Sequence, residues 1–309
     1  MPRIFVLLAA VCFGTTGTAQ ALGPSAAPLT VGATRIAIGG LLLVLVARAV
    51  PAAGVRWPRR ELGVLAAAIA VYQLAFFAAV DRTGVAVGTV VALGSAPALA
   101  GLAGLLLERE PLTRRWANAT ALASAGVLLL VLGGGGAAVD PLGIMLAVVS
   151  GSGYATYTIL AKRLLRLGHA PERVMAASFS LGALLLAPVL VLGDLSWIAT
   201  GGGLAMALFL GAVPTALAYL LFARGLRHLT PGETATLTLA EPLTATGLGI
   251  VALGERPGAI AAVGAALVLS GLLALALPTR RGAGHAPETG WGARRAWRRG
   301  PRAAAEAAA

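Results

Sequence analysis

Apolar residues in this chain fall in consecutive blocks rather than in strict alternation or narrow amphipathic stripes. About 20 such residues, rising 1.5 Å each along a helix, span the roughly 30 Å of hydrocarbon in a bilayer. The blocks predict membrane-spanning helices at 4–22, 29–48, 61–80, 85–107, 114–132, 142–161, 173–192, 203–223, 232–253 and 257–277. Membrane β-barrels alternate apolar and polar positions, which this chain does not do, so the expected fold class is all-α integral membrane. The connections alternate in character. One set is short and Gly-rich, as at Gly133–Gly136, and the other carries the arginines.

The pattern also repeats. Phe77/Phe222, Arg82/Arg227, Thr89/Thr234, Pro97/Pro242, Glu110/Glu255 and Gly126/Gly271 are each separated by 145 residues and occupy corresponding parts of their blocks. Ten helices therefore divide into two five-helix copies, 4–132 and 142–277, and an odd number of spans forces the second copy to lie inverted relative to the first. No connection is long enough to hold a separate soluble domain. After 277 the composition shifts to Arg, Gly, Pro and Ala with Trp291 and Trp297, so 278–309 is expected to be a basic cytoplasmic tail that is disordered or lies on the anionic inner leaflet, a solvated topology anchor ahead of a specific lipid site.

Composition supports a membrane protein, with 58% hydrophobic residues, 12% charged residues and a mean hydropathy of +0.86. The net charge of +12 would suggest a nucleic-acid partner only if its residues formed a binding face. Placed on the helices, they mark topology instead. With the N-terminus inside, of the 24 Lys and Arg residues only Arg82 and Arg256 lie outside and only Arg35 lies within a span. The positive-inside rule thus puts both termini in the cytoplasm, in a multi-pass protein of the bacterial inner membrane. The first 22 residues resemble a secretory signal, ending in Ala19-Gln20-Ala21, but removing them would break the five-plus-five symmetry, so they are expected to stay as the first helix. Cys12 has no disulfide partner, and His169, His228 and His285 are scattered, so no metal site and no cofactor are expected.

Ionisable groups in hydrocarbon are costly and mark candidate sites. Glu241 falls near the middle of 232–253, and Arg35 falls near the outer end of 29–48. Pro242 lacks an N–H, so it should bend its helix and free the Thr238 carbonyl. Thr234, Thr238, Glu241, Ala245 and Gly249 share one helical stripe, which fits a cavity wall and, for the threonines alone, fits helix packing equally well. The corresponding stripe of 85–107 has Thr89, Leu93 and Ala96 before Pro97, so the proline is duplicated and the carboxylate is not. Glu241 either pairs with Arg35 or binds a proton or a cationic group of a substrate. Thr15, Thr16, Thr18 and Gln20, Tyr72 and Gln73, and Tyr154, Thr156, Tyr157 and Thr158 can hydrogen-bond or stack on an organic solute, with interhelical packing as the alternative. Glu110 and Glu255 each precede a new helix and are expected to cap its amides, with a gating salt bridge as the alternative.

The two five-helix copies, Phe13-Gly14 in helix 1, Arg35, the Pro-containing helices 4 and 9, and Glu110 and Glu255 resemble the EamA-like branch of the drug/metabolite transporter superfamily over about residues 4–277. The resemblance implies a basket of helices around a central cavity that moves a small metabolite by alternating access, with Pro97 and Pro242 as hinges. The substrate is expected to be an amino acid or related solute, moved outward, with proton coupling and facilitated exchange both open. The candidate binding residues are Glu241, Arg35, Thr238, Thr234, Tyr154, Tyr72 and Gln20. Two other classes are weighed against this. A membrane enzyme acting on lipid-linked substrates would need a nucleophile or phosphate-binding motif that is absent here, and a helical channel or scaffold would make the proline pair incidental. The partners are then a small-molecule substrate and the bilayer, with no nucleic acid, and the oligomeric state is unassigned.

Overall fold

A computed structural model describes residues 1–52, 54–132, 140–254, 256 and 258–277. Glu255, the Gly133–Gly136 connection and the 278–309 tail lie outside the described residues. No strand occurs among those described. The helices are α1 Pro2–Leu22, α2 Pro28–Arg48, α3 Arg59–Glu108, α4 Arg114–Leu132, α5 Pro141–Arg166, α6 Pro171–Leu185, α7 Ala187–Leu192, α8 Gly201–Gly211, α9 Ala218–Leu226, α10 Pro231–Leu237, α11 Ala240–Leu253 and α12 Ala259–Ala276. Among the described residues, eight segments are long and apolar enough to cross a membrane: Pro2–Leu22, Pro28–Arg48, Arg59–Thr83, Val91–Glu108, Pro141–Arg166, Gly201–Leu226, Pro231–Leu253 and Ala259–Ala276.

The differences from the predicted helices have local causes. The segments predicted at 61–80 and 85–107 both fall within α3, with no non-helical linker between them. They nevertheless form a hairpin. A Cβ on Gly88 would lie 3.1 Å from the Val80 backbone nitrogen, whereas a straight helix separates such residues by about 12 Å. Both limbs also meet α5: Gly153 faces the Ala68 carbonyl of the first limb, and Gly151 faces Ser95 and the Ala92 carbonyl of the second. The segment predicted at 173–192 is divided at Leu186, just before Pro188 in the first turn of α7.

The segment predicted at 203–223 runs from α8 into α9 through a π-helical turn, Ala212–Leu217, that contains Pro214. Pro214 cannot donate to the Leu210 carbonyl, and the Thr215 hydroxyl does so instead at 2.8 Å.

Small residues set the closest approaches between helices. Gly126 of α4 and Gly264 of α12 lie against each other's backbone, and Gly271 lies against the Ala119 carbonyl. Gly225 of α9 packs on Val6 of α1. Gly14 admits α11 so closely that a Cβ there would lie 2.6 Å from Thr244 Cβ and 2.8 Å from the Glu241 carbonyl oxygen. The main pairings are α3 with α5, α4 with α12, α2 with α6, and α1 with α9 and α11. Together they leave the centre of the bundle to α1, α2, the α3 hairpin, α5, α9 and the α10–α11 junction.

Candidate transport cavity and its closed end

A cavity of about 280 Å³ occupies that centre. Its wall includes Phe13, Thr16 and Gln20 from α1, Arg35 from α2, Tyr72, Gln73, Phe76, Phe77, Thr89 and Ala96 from α3, Tyr154 from α5, Tyr219 from α9, and Thr238 and Glu241. Such a lining, mostly aromatic and small with a few convergent polar groups, is the usual composition of a small-molecule site.

The guanidinium of Arg35 is held from behind. Its Nη2 donates to Gln73 Oε1 at 3.1 Å. Gln73 is only 2% exposed, and its Nε2 has no hydrogen-bond partner. Two donor groups, one charged and one neutral, therefore stand together on this wall. Glu241 is half-buried and lines the same cavity. Among the described residues no ion pair of 4.0 Å or less joins it to Arg35. The cavity thus presents a guanidinium and a carboxyl group that are not in direct contact.

The α10–α11 junction positions the carboxylate. Helix α10 stops at Leu237 and α11 begins at Ala240, with Thr238 and Leu239 between them near ψ −13° and −3°. Pro242 does not leave the Thr238 carbonyl free as the sequence predicts. Glu241 N–H donates to that carbonyl at 2.9 Å, a tighter turn that precedes the proline. Glu241 consequently sits in the first turn of α11, where the aligned peptide dipoles favour an anion. Pro97, by contrast, lies inside continuous α3 helix.

Of the residues singled out in the sequence, Glu241, Arg35, Thr238, Tyr154, Tyr72 and Gln20 all line the cavity. Thr234 does not. It is fully buried, and its hydroxyl donates to the Thr230 carbonyl at 2.9 Å. Thr238 N–H still donates to the Thr234 carbonyl at 3.1 Å, so the two share one helical face, and Thr234 lies a full turn further along α10, in the packed part of the bundle. Thr238 donates to the Ala235 carbonyl at 2.7 Å, so in its 3.3 Å contact with Tyr154 the tyrosine hydroxyl is the donor. Thr156 and Thr158 bond back to carbonyls of their own helix. Tyr219 was missed, although an aromatic three residues before Phe222 on one helical face was a usable signal.

Toward the Lys162 end of α5 the cavity is closed by aromatic side chains. Tyr157 stacks on Phe222 with centroids 6.0 Å apart, and Phe179 lies 4.2 Å from Tyr219. Beyond this plug is a charged belt. Arg163 pairs with Glu61 at 3.0 Å, and Arg166 pairs with Glu108 at 2.8 Å and with Glu110. Glu110 therefore does not cap α4; Thr113 does, accepting from the Trp116 N–H at 3.1 Å. Burial pushes the Glu110 carboxyl above the usual carboxylate range, against the pull of Arg166 and Lys162.

Lys162, which the sequence offers only as one more cytoplasmic charge, is 5% exposed. Its Nζ donates to the carbonyls of Leu226, Arg227 and Leu229 at 2.9, 3.0 and 2.8 Å. All three donors of the ammonium are thereby used to close the C-terminal end of α9, where helix carbonyls lack partners.

A membrane-spanning helical bundle with a central, partly polar cavity sealed at one end by rings and ion pairs is the architecture of a multi-pass membrane transporter. Comparison with known proteins identifies its kind. The profile of the EamA-like transporter family matches residues 2–132 and 141–277, and the chain belongs to that family, within the drug/metabolite transporters. It is 42% identical over 283 residues to the uncharacterized transporter YwfM of Bacillus subtilis, covering 90% of this chain and 94% of that protein. It is 35% identical over 221 residues to the uncharacterized protein PA1977 of Pseudomonas aeruginosa, covering 70% and 73%. It is 27% identical over 278 residues to protein PecM of Dickeya dadantii, covering 87% and 90%. A solved crystal structure with 22% identity superimposes with a TM-score of 0.78 over 89% of this chain and 96% of the other, which establishes a shared fold. The family and the names of the relatives point to transport rather than to enzymatic activity.

Proposed function

We propose that this protein is a secondary carrier that moves a small organic metabolite, an amino acid or related solute, outward across the bacterial inner membrane by alternating access. The observation that carries the proposal is the central cavity, where Arg35 and Glu241 face one space without an ion pair between them. Arg35 with Gln73 suits a carboxylate, Glu241 suits an ammonium or a proton, and the rings suit an apolar side chain. Tyr154, Thr238, Tyr72 and Gln20 complete the proposed binding wall. No cofactor is needed for this chemistry, and protonation of Glu241 is the proposed route for any coupling ion.

The packing supports ten spans arranged as two inverted five-helix copies. Numbering the spans in order, the second packs on the seventh and the fifth on the tenth, while the sixth packs on the third and fourth just as the first packs on the eighth and ninth. A two-fold exchange of the halves reproduces every one of these pairings. In the proposed orientation both termini are cytoplasmic, the Arg-rich belt and aromatic plug close the inside, and the basic tail meets anionic lipid. Pro97 and Pro242 are the proposed hinges, with the greater flexibility at the broken α10–α11 junction.

Counterflow in proteoliposomes tests the proposal, using a panel of labelled amino acids, amines and sugars. Accumulation of label driven by unlabelled internal solute is expected for at least one amino acid, and Glu241→Gln should lower it tenfold or more while the protein stays folded. Flux without trans-stimulation would point to a channel, and undiminished counterflow in the Gln variant would remove Glu241 from the mechanism.

A further inference from the structure

A second pocket, of about 160 Å³, lies beyond the charged belt and shares no lining residue with the central cavity. It is bounded by Gly101 and Gly104 at the end of α3, by the 110–113 linker, by Trp116 and by the Thr230–Glu233 turn. Arg109 ends α3 in the left-handed conformation, φ 56°, and Glu110 N–H closes back on the Gly104 carbonyl at 3.1 Å. That turn carries Glu110 under the end of the hairpin.

Two side chains lining this pocket are more than nine-tenths buried and unsatisfied. Glu110 is 8% exposed, and while one of its oxygens meets Arg166, Oε2 has no partner. Trp116 is 9% exposed, and its Nε1 has no acceptor. An unmet buried polar group costs about 1–3 kcal/mol, so an acceptor and a donor lining one space call for a ligand that answers both. Glu233 adds a second carboxylate, 3.5 Å from Arg3. The hydroxyl oxygens of Thr113 and Thr230 accept from backbone N–H groups, which leaves each O–H available to donate.

We propose that this pocket binds a primary ammonium on a short polar chain, of the ethanolamine type. Its N–H groups donate to Glu110 Oε2 and Glu233, and an oxygen on the chain accepts from Trp116 Nε1. Glu110 and Glu233 are each paired with an arginine, so the selection for a hydrogen-donating ligand comes from the unmet Glu110 Oε2, which can only accept when ionised. Among the described residues no cluster of three His, Cys, Asp or Glu side chains offers a metal site. A quaternary ammonium has no hydrogen to give Glu110. The same chemistry is available from an aminophospholipid head group or from a free amino alcohol. Exposed Arg109 and Arg114 flank the 110–113 linker in sequence and suit the phosphate of the lipid form.

The test is thermal unfolding of the full-length, delipidated protein in detergent, with phosphatidylethanolamine, phosphatidylcholine or free ethanolamine added. A midpoint raised by several degrees with phosphatidylethanolamine and not with phosphatidylcholine supports the site with a lipid source. The same rise with free ethanolamine supports it with a soluble source. Trp116→Phe, which keeps an aromatic ring of smaller size and deletes the donor, and Glu110→Gln should each lose most of the shift relative to their own unliganded midpoints. Should one variant fail to fold, the other decides. The proposal is overturned if neither amine raises the midpoint, if phosphatidylcholine acts equally well, or if the shift survives in every variant that folds; water alone would then fill the pocket.

Discussion

Replacing Lys162 with Met separates two views of that residue. If it were only a topological charge beside Arg163 and Arg166, its loss would cost a few tenths of a kcal/mol, as surface changes do. In the structure its ammonium holds three carbonyls at 2.8–3.0 Å, and the bonds to Leu226 and Leu229 are fully buried. Met keeps the apolar stem but leaves two buried acceptors unmet at about 1–3 kcal/mol each, less the relief of no longer burying a charge. The net is a loss of roughly 2–4 kcal/mol. At about 2–4 °C per kcal/mol, the unfolding midpoint in detergent should fall by roughly 4–16 °C. Arg163→Met is the matched control. Arg163 is half exposed, and its pairs with Glu61 and Glu108 should be worth no more than about 1 kcal/mol. Lys162→Arg should recover only part of the loss, because a planar fork cannot converge on three carbonyls as a compact ammonium does. A Lys162→Met midpoint within a degree of wild type, or no lower than that of Arg163→Met, would refute the reasoning.

Two further outcomes are expected. Gly14→Val should lower the unfolding midpoint and abolish transport, because its side chain would meet Thr244 and the Glu241 carbonyl at distances no Cβ can adopt. The overpacking costs about 1–3 kcal/mol. Gly247→Ala on α11, exposed and with nothing within 4 Å, should be silent in both assays, and equal effects at the two positions would contradict the α1–α11 packing. Asp140 caps α5 by accepting from Leu142 N–H at 2.9 Å and pairs with Arg82, which together hold its carboxyl below the usual carboxylate range. A depressed pKa in the folded state gives stability that is complete above the unfolded value near 4 and disappears as pH falls through the lower folded value. Wild-type and Asp140→Ala stability curves should therefore differ at neutral pH and converge in acid; a constant gap across the range would count against the cap.

Much of this protein could be read along the chain because the bilayer is a severe solvent. Hydrocarbon admits only helices with satisfied backbones, so apolar blocks translate directly into spans, and uncompensated Arg35 and Glu241 stand out as costly exceptions. Prolines were legible as points of disruption for the same reason. Pro188, Pro214 and Pro242 each lie at or beside an interruption, whereas Pro97 is accommodated within continuous helix. What each disruption became was not legible. At Pro214 the ladder widened into a π turn with Thr215 supplying the missing donor. At 238–239 the chain tightened ahead of Pro242, and Thr238 and Glu241 line the cavity while Thr234, one turn earlier, is packed between helices.

The sequence by itself determined the all-helical membrane class, the 145-residue spacing of paired residues and the presence of two ionisable groups inside apolar blocks, because hydropathy and residue spacing are local quantities. Tertiary structure decided which polar groups meet. Arg35 found Gln73 rather than Glu241, Glu110 found Arg166 rather than the amides of α4, and Lys162 left the solvent to hold the end of α9. Those pairings depend on helices far apart in sequence approaching at glycines such as Gly14, Gly126 and Gly264. The distances that select hydrogen-bond partners exist only once the helices have packed.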